Sequence, residues 1–188
     1  RPGTAARALE ACGFEILSLD DAGHRLLERD HIRRAIADGM GDPSLALLDG
    51  GSMRAALRRS AFDTPEVMAI VERVLHPRMS RWMSLCGHII RARRGKAVIE
   101  GALFFELGGA GIVDGVIVMA SDERDSIARI MARDGLDERS AARRLSLQMP
   151  LTERLEKADW VILNSAGTSE ASVGLQALAI AACSGLLG

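Results

Sequence analysis

Residues 115–120 read Gly-Val-Ile-Val-Met-Ala, and after one serine comes Asp122–Arg133, DERDSIARIMAR. The first stretch is apolar throughout and of strand length, the pattern of a strand covered on both faces. The second is charged and amphipathic, which predicts a helix. The same alternation recurs on either side. Ala97–Glu100 (AVIE) and Trp160–Leu163 (WVIL) predict strands, the former continuing into Gly101–Glu106 (GALFFE). Asp137–Met149 and Thr152–Lys157 predict helices, and Ser169–Leu187 a closing apolar helix too interrupted by small and polar residues to be membranous. Strands separated by helices point to an α/β fold with a parallel sheet.

The chain opens with Thr4–Cys12 (TAARALEAC), rich in good helix formers, and Gly13 follows as a C′ glycine would. Phe14–Leu19 (FEILSL) predicts a strand, and Asp20-Asp21 come next. Ala22–Arg94 reads as mainly helical, with breaks near Gly39–Pro43 and Asp49–Ser52. Thr64-Pro65-Glu66 marks a helix start with proline at the first helical position. In a doubly wound sheet a helix in the place of 4–12 follows a central strand and its turn. The middle of the sheet is therefore expected to carry unpaired edges, and a further strand is expected upstream of Arg1.

A chain of 188 residues, 48% of them hydrophobic, can bury a full single-domain core. The net charge of -1 argues against a general nucleic-acid binder. No stretch is long or apolar enough to span a bilayer. Cys12, Cys86 and Cys183 are far apart and show no metal-ligand spacing, so they are expected to be reduced, mostly buried thiols of a cytosolic protein. The sequence sets no oligomeric state.

Several residues could carry chemistry. Asp20 lies just past a strand, where open α/β sheets place ligands. A carboxylate there can take the proton of an attacking hydroxyl, hold a water on Mg²⁺, or cap the helix near Ala22. Arg129 and Arg133 share a helix face, with Arg144 on the next helix. They form either a lid closing on phosphates or a solvated face on which Asp125 pairs with Arg129. His76, before Pro77, is a core or capping histidine or a pocket residue. Glu106 is structural or steers a ligand, and Phe104 and Phe105 are core packing or pocket wall. Arg91, Arg93 and Arg94 suit a solvated helix C-terminus.

Five segments in order resemble the dephospho-coenzyme A kinase family. GFEILSLDDAG (13–23) is similar to the family's G-x-x-V-I-D-A-D, with Ser18 where the family often has another Asp. Met53–Leu57 leading to Phe62 is similar to D-R-x-x-L before a phenylalanine. Leu75-His76-Pro77 matches L-x-H-P, and Ala102–Glu106 matches P-L-L-F-E. Arg129–Asp134, Arg144, Gln148, Arg154 and Ala158–Asn164 follow R-x-x-x-R-D, R-I-x-x-Q, a lysine and A-D-x-V-I-x-N.

The resemblance implies transfer of the γ-phosphate of ATP, with Mg²⁺, to the ribose 3′-hydroxyl of dephospho-coenzyme A in the cytoplasm. It implies a P-loop α/β core (1–21, 96–121, 158–188), a helical acceptor lobe (22–95) and a helical lid (122–157). In it Asp20 is the catalytic base, and Arg133 and Arg144 stabilise the transferred phosphoryl group. Gly3, Thr4, Arg129, Arg133, Gln148 and Asn164 bind the nucleotide, while Asp20, Arg54, His76 and Glu106 meet the acceptor. A P-loop reads G-x-x-x-x-G-K-[ST]. If Thr4 matches the threonine that commonly follows it, Pro2 falls on the lysine and Gly3 on the serine. Another small-metabolite or nucleotide kinase, or an inactive relative, are the alternative readings.

Overall fold

The structure, a computed structural model, describes residues 3–61 and 64–185, with side chains of 58–61 left aside. Arg1, Pro2, Phe62 and Leu187, to which the sequence assigns roles, lie outside the described residues. The described residues fall into two compact units, one within 1–18 and 86–188 and one within 19–85.

The first unit holds four strands: β1 (Glu15–Ser18), β2 (Ala97–Glu100), β3 (Ile117–Ala120) and β4 (Trp160–Leu163). β1 pairs with β2 in parallel, Glu15 opposite Ala97, and β3 pairs with β4 in parallel, Ile117 opposite Trp160. Among the described residues no ladder joins the two pairs. They share one core all the same. Leu9 and Phe14 pack with Ile162, Val173, Ala177 and Ala181, and Val98 and Ile117 lie against this cluster. Helix α1 (Thr4–Glu10) therefore lies against the closing helix, α9 (Glu170–Cys183), whose small residues allow close approach. Arg7 and Glu170 add an ion pair between them at 2.9 Å. Each large apolar side chain buried here contributes roughly 1.5–3 kcal/mol.

The second unit is helical: α2 (Leu19–Leu27), α3 (Asp30–Met40), a short 3₁₀ turn, α4 (Gly50–Ala61) and the first part of α5 (Pro65–Ala92). Ile32 and Ile36 on α3 and Met53 on α4 are fully buried. Leu75, Met79 and Met83 recur every four residues and form the buried stripe of α5. Buried Arg33 donates to the carbonyl of Leu27 at 2.9 Å and pairs with Asp30, which closes the end of α2.

Between β3 and β4 come α6 (Glu123–Asp134), α7 (Glu138–Ser146) and α8 (Leu151–Glu156). Gly135 ends α6 in the left-handed region, at φ 66°, which a side-chain-bearing residue adopts only under strain.

Some expectations need correction. The stretch after Glu100 turns instead of continuing β2, because Gly109 packs so closely on Phe104 that the chain folds back there. Leu19 begins α2 and does not end β1, so Asp20 lies in the first helical turn and is no N-cap. β3 is not covered on both faces: Met119 is 36% exposed, and its neighbour strand leaves Val161 and Leu163 exposed. Among the described residues no disulfide forms, but Cys12 and Cys183 are exposed, since they lie at the ends of α1 and α9 beyond the last buried residues. Arg91 and Arg93 are exposed at the end of α5, as expected of a solvated helix C-terminus. They pair with Asp114 and Glu15.

Candidate active site

Gly3, Thr4, Arg129, Arg133 and Asn164 line one cavity of about 470 Å³ in the strand-bearing unit. They come from three segments far apart in the chain. Their meeting follows from the parallel connections, which return the carboxyl ends of β3 and β4 to one edge. Volumes of this order suit small-molecule ligands.

At the start of α1, Gly3 donates its N–H to Glu100 Oε2 at 3.0 Å. Glu100 is the last residue of β2, so a strand-end carboxylate faces the first turn of α1. Thr4 accepts from Arg7 Nη2 at 3.2 Å.

Helix α6 grips the loop after β4 at two points. Arg129 Nη1 donates to the carbonyl of Asn164 at 2.7 Å, and Asp125 accepts from the N–H of Ala166. The Arg129–Asp125 pair of the solvated-face alternative is not formed, because each group finds a backbone partner in this loop. The loop is held from the other side too. Asn164 donates its N–H to the carbonyl of Ala120 at 2.8 Å. Gln176 on α9 accepts from the N–H of Leu163 and donates to its carbonyl.

At the end of α6, Arg133 Nε and Nη2 reach the two carboxylate oxygens of Asp134 at 3.0 and 2.9 Å. Arg144 Nη1 on α7 donates to Oδ2 of the same group at 2.7 Å. The two arginines read as phosphate ligands thus meet on one carboxylate. α7 is set by Asp137, whose side chain accepts from the N–H of Ser140 at 2.7 Å. That backbone bond, and then the bond to the Ser140 side chain, hold the Asp137 carboxyl below the usual range.

The turn from α7 to α8 is fixed by Glu106, which accepts from the N–H of Met149 at 2.8 Å. Glu106 also opposes the effect of burial on Arg154, where loss of hydration lowers the guanidinium pKa. Gln148 is half-buried in this turn and does not line the cavity. Asp159, at the entry to β4, accepts from the N–H of Val116 at 2.8 Å and so registers the starts of β3 and β4.

The helical unit carries Asp20, Arg54 and His76. Asp20 is exposed in the first turn of α2, two residues past β1 in the chain. Arg54 on α4 pairs with Glu28 at 3.0 Å. His76 is half-buried on α5, which runs on through Pro77.

Two residues escaped the sequence reading. Glu100 could have been found by the rule that singled out Asp20, a carboxylate at a strand end. Asp134 stood inside a quoted motif with no role given to it.

This architecture is that of a P-loop NTPase-like α/β protein. A solved Thermus thermophilus protein, TT1252, superposes with a TM-score of 0.72 at 28% identity, over 96% of this chain and 90% of its own. A dephospho-CoA kinase from Campylobacter jejuni gives 0.66 at 25% identity, over 97% and 92%. A dephospho-CoA kinase from Syntrophotalea carbinolica is 33% identical over 159 residues, 76% of this chain and 73% of its own. The family model for dephospho-CoA kinase matches residues 3–170. The chain belongs to the dephospho-CoA kinase family. Among the described residues no helix is long and apolar enough to cross a membrane.

Proposed function

We propose that the protein transfers the γ-phosphate of ATP to the ribose 3′-hydroxyl of dephospho-coenzyme A, giving coenzyme A and ADP. The observation that carries this reading is the cavity in which the start of α1, Arg129, Arg133 and the loop at Asn164 meet. Guanidinium groups donate in pairs and stay charged, which suits polyphosphate. The loop that begins at Asn164 receives the adenine or ribose.

In the reaction Asp20 takes the proton of the 3′-hydroxyl as its oxygen attacks the γ-phosphorus. The bond from that phosphorus to the β–γ bridging oxygen breaks, and ADP leaves. Arg133 and Arg144 stabilise the charge on the transferred group, an effect worth about 10²–10³-fold per donor in comparable sites. Arg54 and His76 bind the acceptor in the helical lobe, and α6–α8 form the lid, its α7–α8 turn anchored by Glu106.

Mg²⁺ is usually held through one or two carboxylates and substrate phosphates, not by an all-protein cage. Glu100, a strand-end carboxylate beside Gly3, fits that donor set. The ion would neutralise charge on the phosphates.

The test is to supply ATP and Mg²⁺ with dephospho-coenzyme A and, separately, with nucleoside monophosphates, and to separate the products by chromatography. Stoichiometric coenzyme A and ADP are expected. Preferred phosphorylation of a nucleoside monophosphate would refute the reading.

A further inference from the structure

Asp134 stands where a carboxylate is locally disfavoured. It closes α6, and the last turn of a helix carries partial negative charge on its carbonyls. Its side chain is also only 12% exposed, so it has lost most of its hydration. A residue that breaks a local rule in this way marks a place where something else is gained.

The gain here is two cations. Arg133 holds both carboxylate oxygens as a fork, and Arg144 shares Oδ2. An ionised carboxylate has about four acceptor sites, so one group can take both arginines. Arg133 is in the last turn of α6 and Arg144 in the last turn of α7. The carboxylate therefore clasps the α6–α7 hairpin at one spot. It also brings two like charges close that would otherwise repel. Arg133 lines the cavity, so the clasp holds a cavity-lining residue and registers Arg144, which is not itself in the lining, against it.

We infer that Asp134 is a positioning residue. It holds Arg133 and Arg144 in register before substrate arrives, so that both meet the same transferred phosphoryl group. What the arginines act on rests on the kinase reading above. A carboxylate that served only to hold the hairpin closed would act on stability alone.

The two roles separate in a double-mutant cycle. Asp134→Ala is made in the wild type and in Arg133→Ala, and all four proteins are followed by melting temperature and by kcat and KM. In the wild-type background Asp134→Ala is expected to lower kcat about ten- to a hundredfold, the scale of a small misplacement of catalytic groups. KM for ATP should change far less. In the Arg133→Ala background the same substitution should lower kcat much less. An equal loss in both backgrounds overturns the inference, and so does an unchanged kcat in a folded Asp134→Ala protein. If the wild type binds ATP but does not turn over dephospho-coenzyme A, the kinase reading fails. In that case a loss of ATP affinity on Asp134→Ala that vanishes in the Arg133→Ala background, read by calorimetry, still supports positioning of Arg133, and an unchanged Kd or an equal Kd difference in both backgrounds overturns it. Absence of ATP binding overturns both.

Discussion

Arg129 donates to the backbone carbonyl of Asn164 at 2.7 Å and leaves Asp125, one helical turn away on its own face, to the N–H of Ala166. Two opposite charges that could have neutralised each other on α6 are spent instead on holding a loop. Their joint effect is to fix the chain where it leaves β4 and enters the cavity. Arg129→Ala should therefore act on nucleotide binding. Hydrogen bonds to charged groups contribute about 1.5–3 kcal/mol, less where water can replace them. KM for ATP is expected to rise about tenfold, with KM for dephospho-coenzyme A unchanged. Steady-state kinetics with each substrate varied in turn checks this, and a rise confined to the acceptor would contradict it.

Asp20 offers a cleaner separation of chemistry from stability. It is exposed in the first turn of α2, and among the described residues its carboxylate has no ion-pair partner. An acid in that turn complements the helix dipole by only about 0.3–1 kcal/mol. Asp20→Asn keeps the shape and removes the basicity. A general base of this kind contributes about 10²–10⁴-fold. The expected result is a kcat lower by at least about a hundredfold, with a melting temperature nearly that of the wild type. A variant retaining most of its kcat would remove Asp20 from the mechanism.

The outcome shows which physical signals are local. β4 was legible to the residue and β2 at its start but not its end, because Trp160–Leu163 and Ala97–Ile99 are apolar runs after charged residues, while the apolar stretch after Glu100 hides the strand's end. α6 and α7 were legible from Asp122 and Asp137, which stand at their N-caps. The break between α2 and α3 was not, since no glycine or proline marks it. Arg29 supplies the extended N-cap, at φ -89° and ψ 124°, without a side-chain cap bond. The cavity is a harder case. Gly3, Arg133 and Asn164 have no spacing that joins them, and only the family pattern placed them together. Nothing local shows that Glu100 would face Gly3, because that contact joins segments 97 residues apart. Arg133 and Arg144 lie one and ten residues from Asp134, but their convergence on it depends on how α7 folds back on α6.

Gly115 is a packing requirement that can be tested away from the chemistry. A Cβ built there would overlap the ring of Trp160 at its Cζ3 and Cη2 atoms. That ring covers the entry to β3, where Asp159 also binds the N–H of Val116. Overpacking a site of this kind costs about 1–3 kcal/mol. Gly115→Ala should lower the melting temperature by several degrees. The added substitution Trp160→Leu should recover part of the loss specific to Gly115→Ala, because it removes the atoms in conflict. Thermal melts of the two single variants and the double variant test this. Strictly additive losses would show that the ring is not what excludes a side chain.

Asp137 gives the fold a predictable response to acid. Its carboxylate caps α7 through the N–H of Ser140, and that bond with the Ser140 side-chain bond favours the charged form. A carboxyl whose pKa is depressed by folding stabilises the native state above its unfolded value, about 3.9 for aspartate. That contribution declines as pH falls through the lower, folded value. Asp137→Ala should therefore melt below the wild type at pH 7, and the gap should close in acid once both the unfolded and folded values are passed. Asp137→Asn keeps an acceptor of nearly the same shape and remains a good cap. Its smaller deficit at pH 7 should also shrink in acid, because it lacks the charge but not the bond. Melting curves from neutral pH into acid follow both gaps. A deficit for Asp137→Ala that stays constant through that range would mean that the side chain acts by packing alone. Because α7 carries Arg144, fraying of its first turn should also loosen the clasp at Asp134, so Asp137→Ala is expected to lower kcat modestly where the cap is charged.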